Sequence, residues 1–337
     1  MSEHAQSFEN VAVLGAGSFG TALALVLAGN KLRVTLWGHT PAAMERMAAA
    51  RENTTYLPGV PLPPALQLTS ALADVRGADL ILMAVPSKAI REVAELLAKV
   101  GIADSAVLLS CTKGVERGTG YRMSEVIAEH LPRNIVATLS GPSHAEEVAK
   151  RMPTAVVIGC RDDGAAKRLQ AAFSTPYFRA YTNDDLAGVE LGGALKNIFA
   201  IAAGASDGLG LGDNAKAALI TRALAELIRL GTKLGGRRET FQGLGGIGDL
   251  MVTCFSGHSR NRHVGESLGR GEKIADILAA MPMVAEGVPT TYSAYECARK
   301  LGVETPIIDQ VRELLDGKVS ARAALGQLLT RDPKAED

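Results

Sequence analysis

Short apolar runs recur through the first half of the chain, at residues 11–14, 33–37, 80–85, 106–110, 135–140 and 155–158, with a seventh candidate at 177–181. Between most of them apolar residues return at helical spacing, as over 21–27, 41–50 and 89–100. Strand alternating with helix predicts an α/β fold: a doubly wound, mainly parallel sheet with helices on both faces. The stretch 57–64, LPGVPLPP, holds too much proline and glycine for either element.

The pattern changes near residues 182–188. Beyond that point strand-like runs vanish and alanine–leucine periodicity takes over. Two long helices are expected over 186–205 and 215–234, and shorter ones over 273–280, 290–301 and 307–316. Glycine-rich breaks at 208–212 and 243–248 read as loops. The expected organisation is two domains, 1–184 and 185–337, the second all helical, with a mobile tail over 331–337.

Charge and composition then exclude several classes. Thirty-six Lys and Arg balance 36 Asp and Glu, which argues against a nucleic-acid partner but leaves room for a local basic pocket. Cys111, Cys160, Cys254 and Cys297 are far apart and form no CxxC pair, so reduced thiols are expected rather than a disulfide framework or zinc site. The six histidines make no recognised ligand spacing, and no metal is expected. Residues 1–10 are polar and acidic, unlike a signal peptide, and no uninterrupted apolar run approaches about 18 residues. A soluble cytoplasmic protein with no integral membrane association is the expectation.

The first apolar run leads into Gly15-Ala16-Gly17-Ser18-Phe19-Gly20 and then a helical pattern. In that context GxGxxG points to a dinucleotide. Gly15 makes the tight turn, Gly17 lets the backbone approach a pyrophosphate, and Gly20 lets helix and strand pack closely. A tight turn without a ligand is the plainer alternative. The same pattern at 243–248 follows no buried strand and reads as a flexible or close-packed loop. The second strand run ends at Trp37-Gly38-His39-Thr40, without the Asp or Glu that would hold the ribose of NAD. That absence points to NADP(H), with NAD(H) also open; His39 and Thr40 are either partners for a 2′-phosphate or simply exposed turn residues.

Other polar residues stand in apolar or glycine-rich settings. Lys113 closes the strand run 106–110, at the sheet end where open α/β folds bind ligands. Lys196 and Asn197 lie in an apolar helical pattern, where a lysine snorkels, finds a partner or does chemistry. Asp249 and Thr253 are four apart on one helical face, with a capping aspartate as the plainer reading. Ser259, Arg260 and Asn261 occupy a glycine-flanked turn suited to a phosphate, or else form a solvated basic loop.

Taken together, these segments resemble the NAD(P)-dependent glycerol-3-phosphate dehydrogenases, particularly the bacterial type. The shared motifs are GAGSFGTALA at 15–24, WGH at 37–39, AVPS at 84–87, CTKG at 111–114, SGPSHAEEV at 140–148, GALKNIFAIAAG at 193–204, GIGDLMVTC at 246–254, GHSRNR at 257–262 and EGVPTT at 286–291. The resemblance implies a Rossmann-type N-terminal domain, an all-helical C-terminal domain and a homodimer. It implies interconversion of sn-glycerol 3-phosphate and dihydroxyacetone phosphate, supplying phospholipid synthesis. By the same resemblance Ser18, Phe19, His39, Ala145, Val284 and Glu286 contact the dinucleotide, and Lys113 and Arg260 touch both cofactor and substrate. Gly141, Ser143, Ser259 and Asn261 contact substrate, with Asn197 and Thr253 beside them. Lys196 is the proton donor and acceptor, with Asp249 next to it. Lys113 would lower the pKa of Lys196 and Asp249 would raise it. Rival readings are another two-domain hydroxyacid or 6-phosphogluconate-type dehydrogenase, against which GHSRNR and CTKG speak, and a non-catalytic NADP-binding sensor.

Overall fold

The structure, a computed structural model, describes residues 7–281, 283–330 and 332. The expected mobile tail 331–337 lies outside the described residues except for Asp332, as do residues 1–6 of the N-terminal stretch. Eight strands form one sheet: β1 Asn10–Leu14, β2 Arg33–Trp37, β3 Gln67–Thr69, β4 Leu80–Met83, β5 Val107–Ser110, β6 Val136–Ser140, β7 Thr154–Gly159 and β8 Phe178–Asn183. Their order is β3-β2-β1-β4-β5-β6-β7-β8. All neighbours pair in parallel except β6 and β7. Strand order reverses between β1 and β4, and such a switch point opens a crevice beyond the strands' carboxyl ends.

Both sheet faces are covered, which is why the central strands read as continuous apolar runs. Along β1, Val11 and Val13 join one hydrophobic core with Leu23, Leu27 and Leu36. Ala12 and Leu14 join a second core on the opposite face with Ile81, Met83 and Leu108. The strand Gln67–Thr69 was not anticipated: it is three residues long, at the sheet edge, and polar at Gln67 and Thr69. The antiparallel turn of β7 against β6 also lies beyond what a run of apolar residues can signal.

The sheet ends at Asn183, and Asp185 then caps the helix Leu186–Gly208 by accepting from Gly188 N at 2.9 Å. That helix is 23 residues long, and by length and composition it is apolar enough to cross a membrane. Yet 94% of its apolar window is buried within the protein, as the axis of the helical domain. Around it pack Gly212–Lys233, Asp249–Phe255, Arg260–Gly269, Gly287–Lys300 and Pro306–Leu315, sharing a third core built on Leu195, Phe199, Leu227, Phe241 and Ile308.

Two expectations for this half are corrected. Of the two readings of residues 243–248, flexible or close-packed, the second holds, but as a coiled turn rather than a loop: Leu244–Gly248 forms a π-type turn, with Gly245 and Gly246 buried. A Cβ on Gly192 would stand 2.2 Å from Gly245 O, so this turn lies directly on the axial helix. Ser259, Arg260 and Asn261 are not a free turn either. Ser259 is the N-cap of Arg260–Gly269, its Oγ accepting from Arg262 N at 3.2 Å.

The axial helix meets Arg260–Gly269 backbone to backbone. A Cβ on Gly204 would fall 1.9 Å from Arg262 O, and one on Gly265 would fall 1.9 Å from Ile201 O. Even a methyl group must therefore separate the helices. Gly204→Ala is expected to destabilise the protein by about 1–3 kcal/mol, read as a lower Tm. An unchanged Tm would show that this close crossing contributes nothing.

Candidate functional site

The turn after β1 is built as its glycines require. Gly15 has φ +118°, and a Cβ there would meet Ala84 O at 2.5 Å. A Cβ on Gly20 would lie 1.9 Å from Gly15 O, so Gly20 packs the helix Ser18–Gly29 under the turn and does not border the cleft. Nothing lies within 4 Å of a Cβ on Gly17, which faces open space at the helix N-terminus. A bare backbone, free N–H groups and a helix dipole there fit a dinucleotide pyrophosphate.

A single cleft runs from this turn across the switch point. Gly15, Gly17, Ser18, Phe19, His39, Val284 and Glu286 border part of it. Ser143, Ala145, Lys113, Lys196, Asn197, Thr253, Ser259, Arg260 and Asn261 border the rest. His39 and Thr40 are exposed at the end of β2, with no carboxylate beside them in the chain. Glu286 ties the rim to the sheet domain, its Oε1 accepting from Ser87 N at 2.9 Å and its Oε2 from Ser87 Oγ at 2.6 Å. The segment around Asn53 was not anticipated. Its amide donates to Ala16 O at 3.0 Å and Thr21 Oγ1 at 2.8 Å, which brings Thr54, Thr55 and Tyr56 to the cleft. Nothing in the local pattern after the helix Pro41–Ala50 marks Asn53, because both its partners are more than 30 residues away.

At the other end one carboxylate holds two ammonium groups. Asp249, only 1% exposed, receives Lys113 Nζ at 2.6 Å on Oδ2 and Lys196 Nζ at 3.0 Å on Oδ1. Thr112 sets Lys113 in place by donating from Oγ1 to Val85 O at 2.6 Å. Lys113 Nζ also donates to Gly141 O at 3.0 Å, so Gly141 and Asp249 stand behind the lysines rather than on the cleft wall. Lys196 Nζ donates to Thr253 Oγ1, which itself donates to Asp249 O at 2.7 Å. The same-face spacing of Asp249 and Thr253 therefore makes a two-point seat for one lysine. Asp249 is the first residue of its helix, not its cap; Gly248 occupies the N-cap position.

Asn197 donates to Lys113 O at 3.5 Å and accepts from Asn261 Nδ2 at 2.8 Å, and Gly287 N donates to Asn261 Oδ1 at 2.8 Å. Ser143 Oγ donates to Gly141 O at 2.9 Å. Exposed Arg260 reaches across the rim to Val284 O at 2.9 Å. Among the described residues no group of three His, Cys, Asp or Glu is placed for a metal ion, and Cys111, Cys160, Cys254 and Cys297 are free thiols.

The electrostatics follow from burial. Lys196 is brought down to about 8 by burial, with Lys113 lowering it further and Asp249 opposing. Burial works to raise Asp249, but the two lysines outweigh it and hold the carboxyl below its ordinary range. The arrangement is an ionised carboxylate beside a lysine able to take and give a proton near neutral pH.

A dinucleotide cradle, an adjoining basic pocket and a poised lysine define a two-domain, nicotinamide-dependent oxidoreductase. Residues 10–166 match the N-terminal domain model, and residues 185–326 the C-terminal domain model, of the NAD-dependent glycerol-3-phosphate dehydrogenases. The chain belongs to that family. It is 51% identical over 332 residues to a glycerol-3-phosphate dehydrogenase [NAD(P)+] of Chlorobium limicola, covering 97% of this chain and 99% of the relative. The crystal structure of the Coxiella burnetii glycerol-3-phosphate dehydrogenase superposes with a TM-score of 0.92 at 41% identity, covering 96% and 99% of the two chains. That of Saccharomyces cerevisiae does so with a TM-score of 0.82 at 27% identity, covering 96% and 99%.

Lys196 should half-titrate at about 8 when its Nζ is followed by 15N NMR. In Asp249→Asn, which keeps Lys113 but removes the opposing charge, the midpoint should move lower. An ordinary lysine midpoint of roughly 10.4 in the wild type would overturn this electrostatic picture.

Proposed function

We propose that Lys196, seated by Asp249 and Thr253, is the proton donor and acceptor in NAD(P)-dependent interconversion of dihydroxyacetone phosphate and sn-glycerol 3-phosphate. The observation that carries this is the buried Asp249 shared by Lys196 and Lys113 at the edge of the dinucleotide cleft. When bound, the reduced nicotinamide supplies hydride to the ketone carbon, and the oxidised form accepts it in reverse. As the carbonyl oxygen gains charge, the Lys196 ammonium stabilises it and gives up its proton, leaving a neutral amine beside the alcohol. Lys113 holds positive charge at the same oxygen. In alcohol oxidation neutral Lys196 takes the hydroxyl proton.

Ser259, Arg260 and Asn261 stand at the N-terminus of Arg260–Gly269, where backbone N–H groups, helix dipole and guanidinium suit a phosphate dianion. Holding the phosphate there, with help from Ser143, fixes the carbonyl against Lys196, while Gly141, expected at the substrate, acts from behind by accepting from Lys113 Nζ. Ser18, Phe19, His39, Ala145, Val284 and Glu286 line the path of the dinucleotide. The missing carboxylate after β2 favours NADP(H) over NAD(H). The enzyme works in the cytoplasm as a homodimer of two-domain chains, 1–184 and 185–337. It supplies glycerol 3-phosphate to phospholipid synthesis, without nucleic-acid or integral membrane partners.

The purified protein should oxidise NADPH in the presence of dihydroxyacetone phosphate, faster than NADH, and absence of turnover with both would refute the reading. Ketone reduction requires the ammonium form, so its rate should fall as pH rises through about 8; alcohol oxidation requires the amine and should rise through the same range. Lys196→Ala should lose turnover by a factor on the order of 10² or more while keeping dinucleotide affinity. Near-normal kcat would remove Lys196 from the chemistry.

Arg260→Ala should raise the KM for dihydroxyacetone phosphate by about ten- to a hundredfold, the worth of one charge-assisted hydrogen bond, with a smaller change in kcat. Steady-state kinetics at saturating NADPH would measure it, and an unchanged KM would contradict the phosphate anchor.

A further inference from the structure

His144 lines the same cleft, between Ser143 and Ala145, yet nothing above uses it. Its imidazole makes no hydrogen bond among the described residues, and Nε2 is fully buried without a partner. The neighbouring ring is that of exposed His258, with centroids 5.8 Å apart and planes tilted by 51°. Burial lowers the pKa of His144, and the nearby Lys196 and Lys113 lower it further, while Asp249 and Glu146 oppose. The ring is therefore held neutral, with one nitrogen a donor and the other an acceptor.

Packing does not account for this residue. A buried ring nitrogen without a partner is a penalty that an apolar ring of similar size would avoid. The cleft already holds a group for each of two parts of a three-carbon ketone phosphate. The carbonyl falls to Lys196 and Lys113, and the phosphate to Ser259, Arg260 and Asn261. The third part, the free primary hydroxyl, has no assigned partner. It is joined to the carbonyl carbon, so it must lie beside the two lysines. His144 is the neutral, unengaged polar side chain whose charge environment is set by those same lysines.

We infer that the His144 imidazole binds the substrate's free primary hydroxyl and selects ketone phosphates that carry one. This rests on the reaction proposed above and adds a specificity-determining residue to it. A site that hydrogen-bonds a hydroxyl rejects the analogue lacking it, because its own polar atom is then left unpaired.

The test compares dihydroxyacetone phosphate with hydroxyacetone phosphate, in which that hydroxyl is replaced by hydrogen, at saturating NADPH. The wild type should favour the hydroxylated substrate in kcat/KM by at least about a hundredfold. His144→Phe should cut that ratio by at least about tenfold, by slowing dihydroxyacetone phosphate while leaving the deoxy substrate nearly unchanged. His144→Leu, read the same way, serves if the phenylalanine variant does not fold. A fall of both substrates by one factor, with the ratio preserved, is what a structural role gives and would overturn the inference. Wild-type enzyme that turns over neither substrate would sink the proposed reaction and this inference together, whereas normal discrimination that survives in the variants would sink only the role of His144.

Discussion

The structure turns on one buried carboxylate that two lysines share. Asp249 and Lys196 come from the helical domain, and Lys113 comes from the segment that follows β5. A carboxylate with almost no exposure would ordinarily take up a proton, and two ammonium groups so close together would ordinarily repel. Each instability is relieved only by the other, so the ion triad exists only where the two domains meet. The same logic recurs along that junction. Glu190, on the axial helix, accepts from Ser124 N at 2.8 Å and Ser124 Oγ at 2.6 Å, and so satisfies the N-terminus of Met123–His130 in the sheet domain. Glu286 does the equivalent for Ser87, and Ser293 donates to Val115 O at 3.2 Å. A buried polar group left unpaired costs free energy, so these contacts fix how the helical domain sits on the sheet. The position of Lys196 follows from the position of Glu190, six residues earlier on the same helix.

Such precision needs backbones to approach closely, and glycine supplies the space. Gly192 admits the π-type turn before Asp249, while Gly204 and Gly208 admit the helix Arg260–Gly269. The helices Asp249–Phe255 and Arg260–Gly269 thus carry candidate site residues at their N-terminal ends. The second GxGxxG pattern, at 243–248, is a packing device that delivers a carboxylate, where the first is a ligand cradle. The same spacing serves two physical ends because one follows a buried parallel strand and the other does not.

That difference shows what can be read from a one-dimensional pattern. Strands buried on both faces announce themselves as apolar runs, and the switch from runs to helical periodicity marks the change between Asn183 and Leu186. Edge strand Gln67–Thr69 is invisible because its stability comes from pairing with β2 rather than from its own side chains. Lys113, Lys196 and Asp249 each stand out locally as a charge in the wrong company. Their partnership does not, since Lys113 and Asp249 are 136 residues apart and only the docking of two domains joins them. The Asn53 latch and the isolation of His144 are hidden for the same reason: they are statements about neighbours, not about sequence context.

Charge explains why such a site must be assembled rather than merely exposed. The chain as a whole is neutral, with 36 basic and 36 acidic side chains, and most of its ion pairs are local or on the surface. In the cleft the charges are arranged rather than evenly spread: Lys113 and Lys196 share one carboxylate, Asp249, which leaves a local positive excess, while Arg260, hydrogen-bonded to Val284 O, lies in the field of Glu286 and Glu146, which line the same cleft, as does Glu52. That excess lies at the two lysines. In water that excess would be screened and unselective. Within a cleft walled by a packed sheet and a packed helical domain, the effective dielectric is lower and the field acts on whatever lies between the lysines and the arginine. The buried aspartate tempers this field: its charge opposes the burial and the neighbouring ammonium that lower Lys196, and so helps that lysine keep the proton it is to give.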